Sequence, residues 1–212
     1  MKKRVLCFGD SNTWGAVPIA GNRYSENVRW TGVLQDQLGE GYQVIEEGYN
    51  GRTSVFEDTV EGRWAGIKYF SQCIDSQSPL DLVIIMLGTN DLKTRYGVEA
   101  RTIAFGFNRY VDALSITPMD GGKPQVLLMS PILIDPSYKD YPLFHDMFGE
   151  RADERSMKLA DAYREFAESA GWEFLDASKY AEASKMDGVH MEPEGHKSLG
   201  AAVAVKVREM LD

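Results

Sequence analysis

The sequence is poor in cysteine and has fewer basic than acidic residues, and each shortage excludes a class of protein. Only two cysteines, Cys7 and Cys73, occur among 212 residues. Their number and spacing do not suit a disulfide framework or a zinc site, so we expect two unpaired thiols. The 23 basic residues are outnumbered by 32 acidic residues, which gives a net charge of -9. This charge repels phosphate backbones and anionic lipids, which argues against nucleic-acid and membrane partners.

The N-terminal segment is also short of apolar residues. Residues 1–4 are followed by only four apolar residues before Gly9, too few for the core of a signal peptide or for a membrane span. We therefore expect a cytoplasmic protein. The 43% hydrophobic and 26% charged residues are ordinary for a globular chain, and no repeat, low-complexity tract or linker divides it. We predict a single domain over residues 1–212.

Short apolar segments alternate with helical patterns along the chain. The third apolar segment is continuous, which is typical of a parallel strand covered on both faces. The alternation predicts a doubly wound α/β fold with a five-stranded parallel sheet. The predicted strands are Lys3–Phe8, Gln43–Glu46, Asp81–Leu87, Gln125–Ser130 and Trp172–Leu175.

The helices are predicted from apolar residues at intervals of three and four. The predicted helices are Trp30–Leu38, which ends at Gly39, then Val98–Ile116, Asp153–Ala170, and a final helix from Pro193 to Leu211. Pro131–Arg151 shows no clear periodicity but holds four aromatic residues and His145. Because long loops in compact domains are often functional, we expect this segment to form a pocket wall or a subunit contact.

Polar residues follow the predicted strands at the edge where ligands of such sheets bind. The segments are Gly9–Asn12 after the first strand, Gly48–Thr53 after the second, Gly88–Asp91 after the third, and Asp187–His190 some ten residues after the fifth. Segments distant in sequence thus bring a serine, an asparagine, an aspartate and a histidine to one edge of the sheet.

These residue types suit nucleophilic catalysis. Ser11 is a candidate nucleophile, although a serine after a strand also makes a good helix N-cap. A serine hydroxyl needs a base, for which His190 is the candidate, and Asp187 can orient that imidazole from three residues away. An oxyanion intermediate needs hydrogen-bond donors, which the backbones of Ser11 and Gly51 and the side chain of Asn90 offer.

Other polar residues near these segments have simpler interpretations. Asp10 and Asp91 are expected to accept hydrogen bonds from backbone amides in turns. His196 lies within the last helix and, like His145, has no aspartate three positions earlier. We expect His196 to be structural or on the surface, and His145 to pack rather than catalyse. Arg29, Trp30 and Arg52 are candidates for subunit contacts, but a solvated side chain is the default expectation for the two arginines.

The four segments also resemble those of a known family. Gly9-Asp10-Ser11, Gly51, Gly88–Asp91 and Asp187–His190 resemble, in order, the sequence blocks of the SGNH or GDSL-type hydrolases. The resemblance implies a flavodoxin-like three-layer α/β/α sandwich. It also implies that Ser11 is the nucleophile, His190 the base and Asp187 its orienting acid, with Ser11, Gly51 and Asn90 forming the oxyanion hole.

Longer segments resemble the small arylesterase and acyltransferase branch of that family. These segments are Gly9–Gly15, Val28–Leu34, Val44–Gly48 and Asp81–Asp91. The resemblance implies homo-octamers with narrow, rather hydrophobic active-site channels. The name GDSL places a leucine after the serine, whereas this chain has Asn12. This difference affects what can be inferred about the acyl pocket.

We therefore expect a serine esterase without metal or cofactor, acting on short-chain acetyl or aryl esters through an acyl-enzyme. Acyl transfer or perhydrolysis would follow where an alcohol or a peroxide replaces water. Residues predicted to form the substrate pocket are Asn12, Trp14, Lys93 and Phe148.

Two other classes of function stay open at this stage. A metal-dependent phosphoesterase would use Asp10, Asn90, Asp91, Asp187 and His190 as ligands. The Asp-x-His and Gly-Asp-x-x-Asp motifs expected for it are absent. A flavodoxin-like binding module would lack catalysis, but no glycine-rich phosphate loop follows a strand.

Overall fold

The fold is built on one parallel β-sheet, seen in a computed structural model that describes residues 2–212. The strands lie in the order β2-β1-β3-β4-β5, and every neighbouring pair is parallel. The predicted α/β fold with a five-stranded parallel sheet is confirmed, with strand ends that differ from the predicted ones by at most two residues. The strands are β1 (Lys3–Gly9), β2 (Tyr42–Gly48), β3 (Leu82–Met86), β4 (Gln125–Ser130) and β5 (Glu173–Asp176).

Helices and short 3-10 turns connect the strands. The helices are α1 (Ser11–Trp14), α2 (Trp30–Leu38), α3 (Gly66–Ser76), α4 (Ala100–Gly106), α5 (Asn108–Ile116), α6 (Pro142–Phe148), α7 (Ala152–Ser156), α8 (Leu159–Ala170) and α9 (Pro193–Leu211). The 3-10 turns are Asn90–Leu92, Thr94–Tyr96, Pro136–Asp140 and Ala177–Lys179.

The helices cover both faces of the sheet and give three layers. On one face, α3, α4, α5 and α8 bury a core that includes Phe70, Phe107 and Tyr163. On the other face, α2 and α9 bury a second core that includes Trp30 and Val203. Every residue of β3 is buried between the two cores, which explains why its sequence is continuously apolar.

The site is positioned by the point at which the strand order reverses. β1 lies between β2 and β3, so the chain winds to one side of β1 and then to the other. Gly9, the last residue of β1, is opposite Gly48 of β2 and Met86 of β3. The loops that leave β1 and β3 therefore diverge and leave a crevice at the carboxyl edge.

Two helices predicted as continuous are each broken. At Phe107 the chain makes a tighter turn, since its N–H donates to the carbonyl of Ala104 at 3.0 Å, and the buried phenyl packs 5.0 Å from the ring of Tyr163. Near residue 157 the hydroxyl of Ser156 donates to the carbonyl of Asp153 at 2.6 Å and competes with the helical backbone bond.

Further differences concern the segments without a predicted helix. α3 was not predicted, although Phe70, Cys73 and Ile74 follow helical spacing and are buried. Within Pro131–Arg151, a 3-10 turn and α6 give the predicted loop more regular structure than its sequence indicates.

Both cysteines are free, but Cys73 lies in the core rather than in the polar setting that its neighbours suggest.

The contact between α2 and α9 gives a test of the packing. A Cβ added to Gly200 would lie 2.6 Å from the carbonyl oxygen of Trp30 and 2.7 Å from Cβ of Val33. We expect Gly200→Ala to lower the free energy of unfolding by about 1–3 kcal/mol, because the two helices must separate. Denaturant unfolding followed by circular dichroism measures this change.

Gly195→Ala in the same helix is the matched control. Its added Cβ would meet the nearest atom at 3.4 Å, an ordinary contact. We expect this variant to be neutral or up to about 1 kcal/mol more stable, because alanine favours the helix. Equal effects of the two substitutions would contradict the close approach of α2 and α9.

Candidate active site

Three polar side chains form a continuous hydrogen-bond chain at the carboxyl edge of the sheet. Nε2 of His190 lies 2.9 Å from Oγ of Ser11, and Nδ1 of His190 lies 2.8 Å from Oδ2 of Asp187. Ser11 follows β1, whereas the other two residues precede α9, so the fold joins positions nearly a chain length apart. Asp187 is buried, and Ser11 and His190 border a cavity.

The turn that presents Ser11 requires glycine at its base. A Cβ on Gly9 would lie 2.0 Å from Oγ1 of Thr13, so a side chain at residue 9 would displace α1. Asp10 then caps α1, with its Oδ1 accepting the backbone N–H of Asn12 at 3.0 Å. The hydroxyl of Ser11 is thereby held at the start of a short, capped helix. The N-cap is Asp10, not Ser11.

Asp187 uses both carboxylate oxygens. Oδ1 accepts the backbone N–H groups of Val189 and His190 at 2.9 and 3.0 Å. Oδ2 accepts Nδ1–H of His190 and, from a distant loop, the backbone N–H of Ile19 at 3.1 Å. Gly188 makes this tight turn possible, since its φ is +70° and a Cβ would lie 2.4 Å from the backbone nitrogen of Tyr138.

The same bonds determine the ionisation of Asp187. Burial alone would raise its pKa, but the hydrogen bond and charge of His190, with the two amides, outweigh burial and leave the pKa below its ordinary value. An ionised carboxylate at Nδ1 requires the tautomer that carries a proton there. Nε2 is then free to accept the hydroxyl proton of Ser11.

Two further donors border the same cavity. Asn90 donates through Nδ2 to the carbonyl of Arg52 at 3.1 Å, which orients its amide. Gly51 has a φ of +76°, which favours glycine, and a Cβ there would lie 2.7 Å from Cδ of Arg63, a flexible side chain that would have to shift. Ser11, Gly51 and Asn90, the three residues predicted to supply oxyanion donors, all line the cavity.

The cavity has a volume of about 260 Å³ and a lining of mixed character. One wall is apolar and comes mainly from α6 and the residue before it. The ring of Phe144 lies 5.8 Å from the ring of His190 and 5.2 Å from that of Tyr141. The rest of the lining includes the charged residues Glu61 and Arg63. The Pro131–Arg151 segment thus does supply a pocket wall.

The four residues predicted for the substrate pocket divide into two pairs. Phe148 and Lys93 line the cavity. The ammonium of Lys93 is buried, however, and binds Glu61 at 2.6 Å and Asp58 at 3.3 Å, so its contacts are with the protein.

Asn12 and Trp14 lie outside the cavity wall. The indole of Trp14 lies beneath the guanidinium of Arg23, 5.3 Å from it. The amide of Asn12 points instead toward the segment around His190. The side chains of Asn12 and Thr13 are therefore buried in the protein, whereas that of Trp14 is half-buried against Arg23, outside the crevice.

The arginines that the sequence suggested to be solvated are buried. Arg29 pairs with Glu46 at 2.6 Å. Arg52 donates to the carbonyl of Gly9 at 2.8 Å, and its guanidinium lies 4.2 Å from the ring centre of Phe8. Because the carbonyl of Gly9 ends β1, Arg52 supports the turn that carries Ser11, and sequence reasoning missed this role.

Asp10 and Asp91 accept backbone amides, as predicted. Both oxygens of Asp91 accept the N–H of Ser54, at 2.9 and 3.0 Å. Burial raises the pKa of each carboxyl to about 6, partly offset by these hydrogen bonds.

The remaining histidines have structural partners. Nδ1 of His196 accepts the backbone N–H of Trp30 at 3.3 Å within a fully buried site. Burial, together with the positive charges of His190 and Arg29, lowers the pKa of His196 to about 4. His145 lies 2.9 Å from Glu150.

Possible ligands for a metal are not clustered. Within residues 2–212, no group of three or more His, Cys, Asp or Glu side chains is arranged to hold an ion. Of the helices that the structure describes, none has both the length and the apolar character to cross a bilayer.

Comparison with known proteins identifies the family. Residues 7–198 match the GDSL-like lipase/acylhydrolase family, and the chain belongs to it. A search of curated proteins found no match. Together with the structural similarities described below, the family match confirms two predictions, an SGNH-type fold and a carboxylic ester hydrolase.

Solved structures of esterases are similar over the whole chain. An aryl esterase of M. smegmatis is 37% identical, with a TM-score of 0.93, covering 99% of this chain and 100% of that one. A carbohydrate acetylesterase from Sinorhizobium meliloti has the same identity, TM-score and coverage. A lipase/acylhydrolase from Enterococcus faecalis is 19% identical, with a TM-score of 0.68 over 99% and 97% of the two chains, and shares the fold.

His196 gives a test of the electrostatics beside the site. Its pKa is lowered from 6.5 to about 4 in the folded protein, so the unfolded chain takes up this proton first as the pH falls. Between about pH 7 and pH 5 this group should cost the wild type roughly 2 kcal/mol of unfolding free energy. His196→Asn should lack that loss, as measured by denaturant unfolding at both pH values.

His145→Asn is the control, because the ring of His145 is partly exposed and pairs with a surface glutamate. This variant removes a histidine but no buried ring, and it should not show the relative gain in stability at about pH 5 that is expected for His196→Asn. If His196→Asn shows no such gain either, burial of a neutral His196 does not contribute to the pH dependence.

Proposed function

We propose that the chain is a serine esterase that hydrolyses short-chain acyl esters through an acyl-enzyme on Ser11. The observation that best supports this proposal is the unbroken hydrogen-bond chain from Ser11 through His190 to Asp187, at 2.9 and 2.8 Å. A serine hydroxyl is a weak nucleophile at neutral pH, and an imidazole oriented by a carboxylate removes its proton as the new bond forms.

In acylation, Oγ of Ser11 attacks the carbonyl carbon of the ester while its proton passes to Nε2 of His190. The carbonyl oxygen becomes an oxyanion. We assign the backbone N–H groups of Ser11 and Gly51 and the Nδ2 group of Asn90 as its donors. Asp187 stabilises the imidazolium, which then protonates the departing alcohol oxygen as the bond between that oxygen and the acyl carbon breaks.

In deacylation, water gives a proton to Nε2 of His190 and attacks the acyl carbon. The acid is released, and Oγ of Ser11 recovers its proton from the imidazolium. An alcohol or a peroxide in place of water would give acyl transfer or perhydrolysis by the same steps. We include this transfer as a side activity, because the apolar wall beside His190 favours an organic acceptor.

The lining and the volume of the cavity indicate which esters it favours. The departing alcohol oxygen must lie within hydrogen-bond reach of Nε2, so the alcohol lies on the His190 side. The wall on that side is formed by Tyr141, Leu143 and Phe144, which favours apolar and aromatic alcohols. A volume of about 260 Å³ leaves room for only a short acyl group. The M. smegmatis relative is itself described as an aryl esterase.

The alternatives are less well supported. The carboxylates of Asp10, Asp91 and Asp187 all accept hydrogen bonds from protein groups, which makes them poor candidates for metal ligands in a phosphoesterase. A binding module without catalysis would have no need for a serine, histidine and aspartate aligned beside a cavity.

We also propose that the chain forms a homo-oligomer, an octamer by its resemblance to the arylesterase branch. Large apolar side chains lie exposed, among them Val60 and Trp64, each 75% exposed. Contacts between subunits would cover such side chains.

The nucleophile is tested by labelling and turnover. Wild-type protein treated with an organophosphonate should gain one phosphonyl group, which peptide mapping locates on Ser11, and it should hydrolyse p-nitrophenyl acetate. Ser11→Ala should lose the adduct, and its turnover should fall on the order of 10⁵-fold, because no other group attacks the ester as efficiently.

Ser198→Ala, on an exposed turn of α9, is the control and should behave as wild type. Turnover that survives in Ser11→Ala and disappears with a chelator would refute the serine mechanism and favour a metal-dependent one.

Asp187→Asn tests the orienting acid. The amide keeps the shape of the carboxylate but cannot stabilise the imidazolium, and it favours the wrong tautomer of His190. We expect turnover to fall about 10⁴-fold. Steady-state kinetics on p-nitrophenyl acetate measures the loss.

Asp176→Asn is the matched control, because Asp176 also caps a turn, accepting the N–H of Ser178 at 3.1 Å. It should retain wild-type turnover. Near-normal turnover of Asp187→Asn would require another group to orient His190.

A further inference from the structure

Asn12 is a buried polar residue without a part in the proposed chemistry. It follows Ser11 in α1, and its side chain is only 2% exposed. The side chain lies outside the cavity wall, and both of its polar atoms bind one short segment of the chain. That segment contains His190.

The two bonds involve the peptide groups on either side of His190. Nδ2 of Asn12 donates to the carbonyl of Val189, and Oδ1 accepts the N–H of Met191, each at 3.1 Å. In a parallel β-ladder, the N–H and C=O of one residue bind the same pair of groups on a neighbouring strand. The amide of Asn12 therefore substitutes for a strand residue along this edge of the segment.

The opposite edge of the segment is also held. The carbonyl of His190 accepts the N–H of Ser184 at 2.7 Å, and Ala183 forms a β-bridge with Met191. Asp187 fixes the backbone N–H and the ring of His190. Among these contacts, those of Asn12 are the ones that come from the turn carrying Ser11.

We propose that Asn12 is a positioning residue that sets the distance between Oγ of Ser11 and Nε2 of His190. The inference rests on the proposed esterase mechanism. Asn12 is covalently joined to Ser11, and its own N–H is fixed by Asp10 at 3.0 Å. Its side chain thus links the backbone of the nucleophile to the backbone of the base, across 177 residues of sequence to Val189.

Leucine at this position could not make the link. The carbonyl of Val189 and the N–H of Met191 would be left in a buried site without these partners, and the segment would move to find others. A displacement of about 1 Å at a reacting group can lower turnover on the order of 10²-fold. The binding of the ester would change little, because Asn12 does not line the cavity.

The test compares Asn12→Leu and Asn12→Asp with a control at the next residue. Thr13 lies in the same turn, and its hydroxyl is buried and has no hydrogen-bond partner. Thr13→Val removes this hydroxyl. For Asn12→Leu we expect kcat on p-nitrophenyl acetate to fall roughly 10- to 100-fold, with KM within about threefold of wild type. Thr13→Val should retain wild-type kcat.

Asn12→Asp distinguishes positioning from a general loss of stability. The aspartate can still accept the N–H of Met191, but when ionised it repels the carbonyl of Val189. Protonation restores a donor, so the ratio of the Asn12→Asp kcat to the wild-type kcat should rise as the pH is lowered. Because protonation of a buried aspartate would also restore folding, circular dichroism is recorded at each pH, and a recovery of kcat in samples whose circular dichroism matches wild type throughout reports positioning.

A second measurement does not depend on turnover. The proton on Nδ1 of His190 should give a low-field NMR resonance because of its bond to Asp187. This resonance should shift or broaden in Asn12→Leu and stay unchanged in Thr13→Val, in samples whose circular dichroism matches wild type. If Asn12→Leu does not fold, Asn12→Asp replaces it in this measurement.

The outcomes separate this proposal from the esterase mechanism. Failure of the wild type to be labelled on Ser11 would refute the mechanism, whereas the NMR result still reports whether Asn12 positions His190. Wild-type kcat and an unchanged resonance in both Asn12 variants would overturn the role of Asn12. An equal loss in Thr13→Val would also overturn it, since the whole turn would then be sensitive.

Discussion

The hydrogen bonds accepted by one buried carboxylate, that of Asp187, hold the candidate site together. The carboxylate binds the ring of His190, two amides of its own turn and the amide of Ile19 from the loop after α1. The bonds from His190 and the two amides of the turn keep the carboxylate ionised despite burial, and an ionised carboxylate defines the tautomer of the histidine. The amide of Ile19 joins the loop after α1 to the same carboxylate, so loops from opposite ends of the chain meet at Asp187.

Much of the fold and the site could be predicted because the responsible patterns are local. The continuous apolar sequence of β3 identifies a strand between two layers, and glycine followed by polar residues marks the carboxyl edge. The order of the strands then brings Ser11 and Asn90 together after the adjacent strands β1 and β3, and the segment that follows β5 returns His190 to them. Asp187 is three residues from His190, so a single turn is enough for their contact.

What could not be predicted depends on contacts between distant residues. Whether Arg52 is solvated or supports the carbonyl of Gly9 depends on the position of β1, which its neighbours do not indicate. The break at Phe107 follows from packing on Tyr163, and the burial of Lys93 follows from carboxylates more than thirty residues earlier. Asn12 is predicted to border the substrate because it stands where the family name expects leucine, but the capped turn directs it inward.

The apolar wall of the cavity has a consequence for how the protein can evolve. This wall comes mainly from one segment, Tyr141–Phe148, which contains none of the residues assigned to proton transfer or to the oxyanion. The preceding residues are different, since the N–H of Asp135 donates to the carbonyl of Gly188 at 2.9 Å and so contacts the turn of Asp187. Selection can therefore exchange the wall beyond Tyr138 as a module. Specificity for the alcohol can diverge while the catalytic machinery is inherited unchanged.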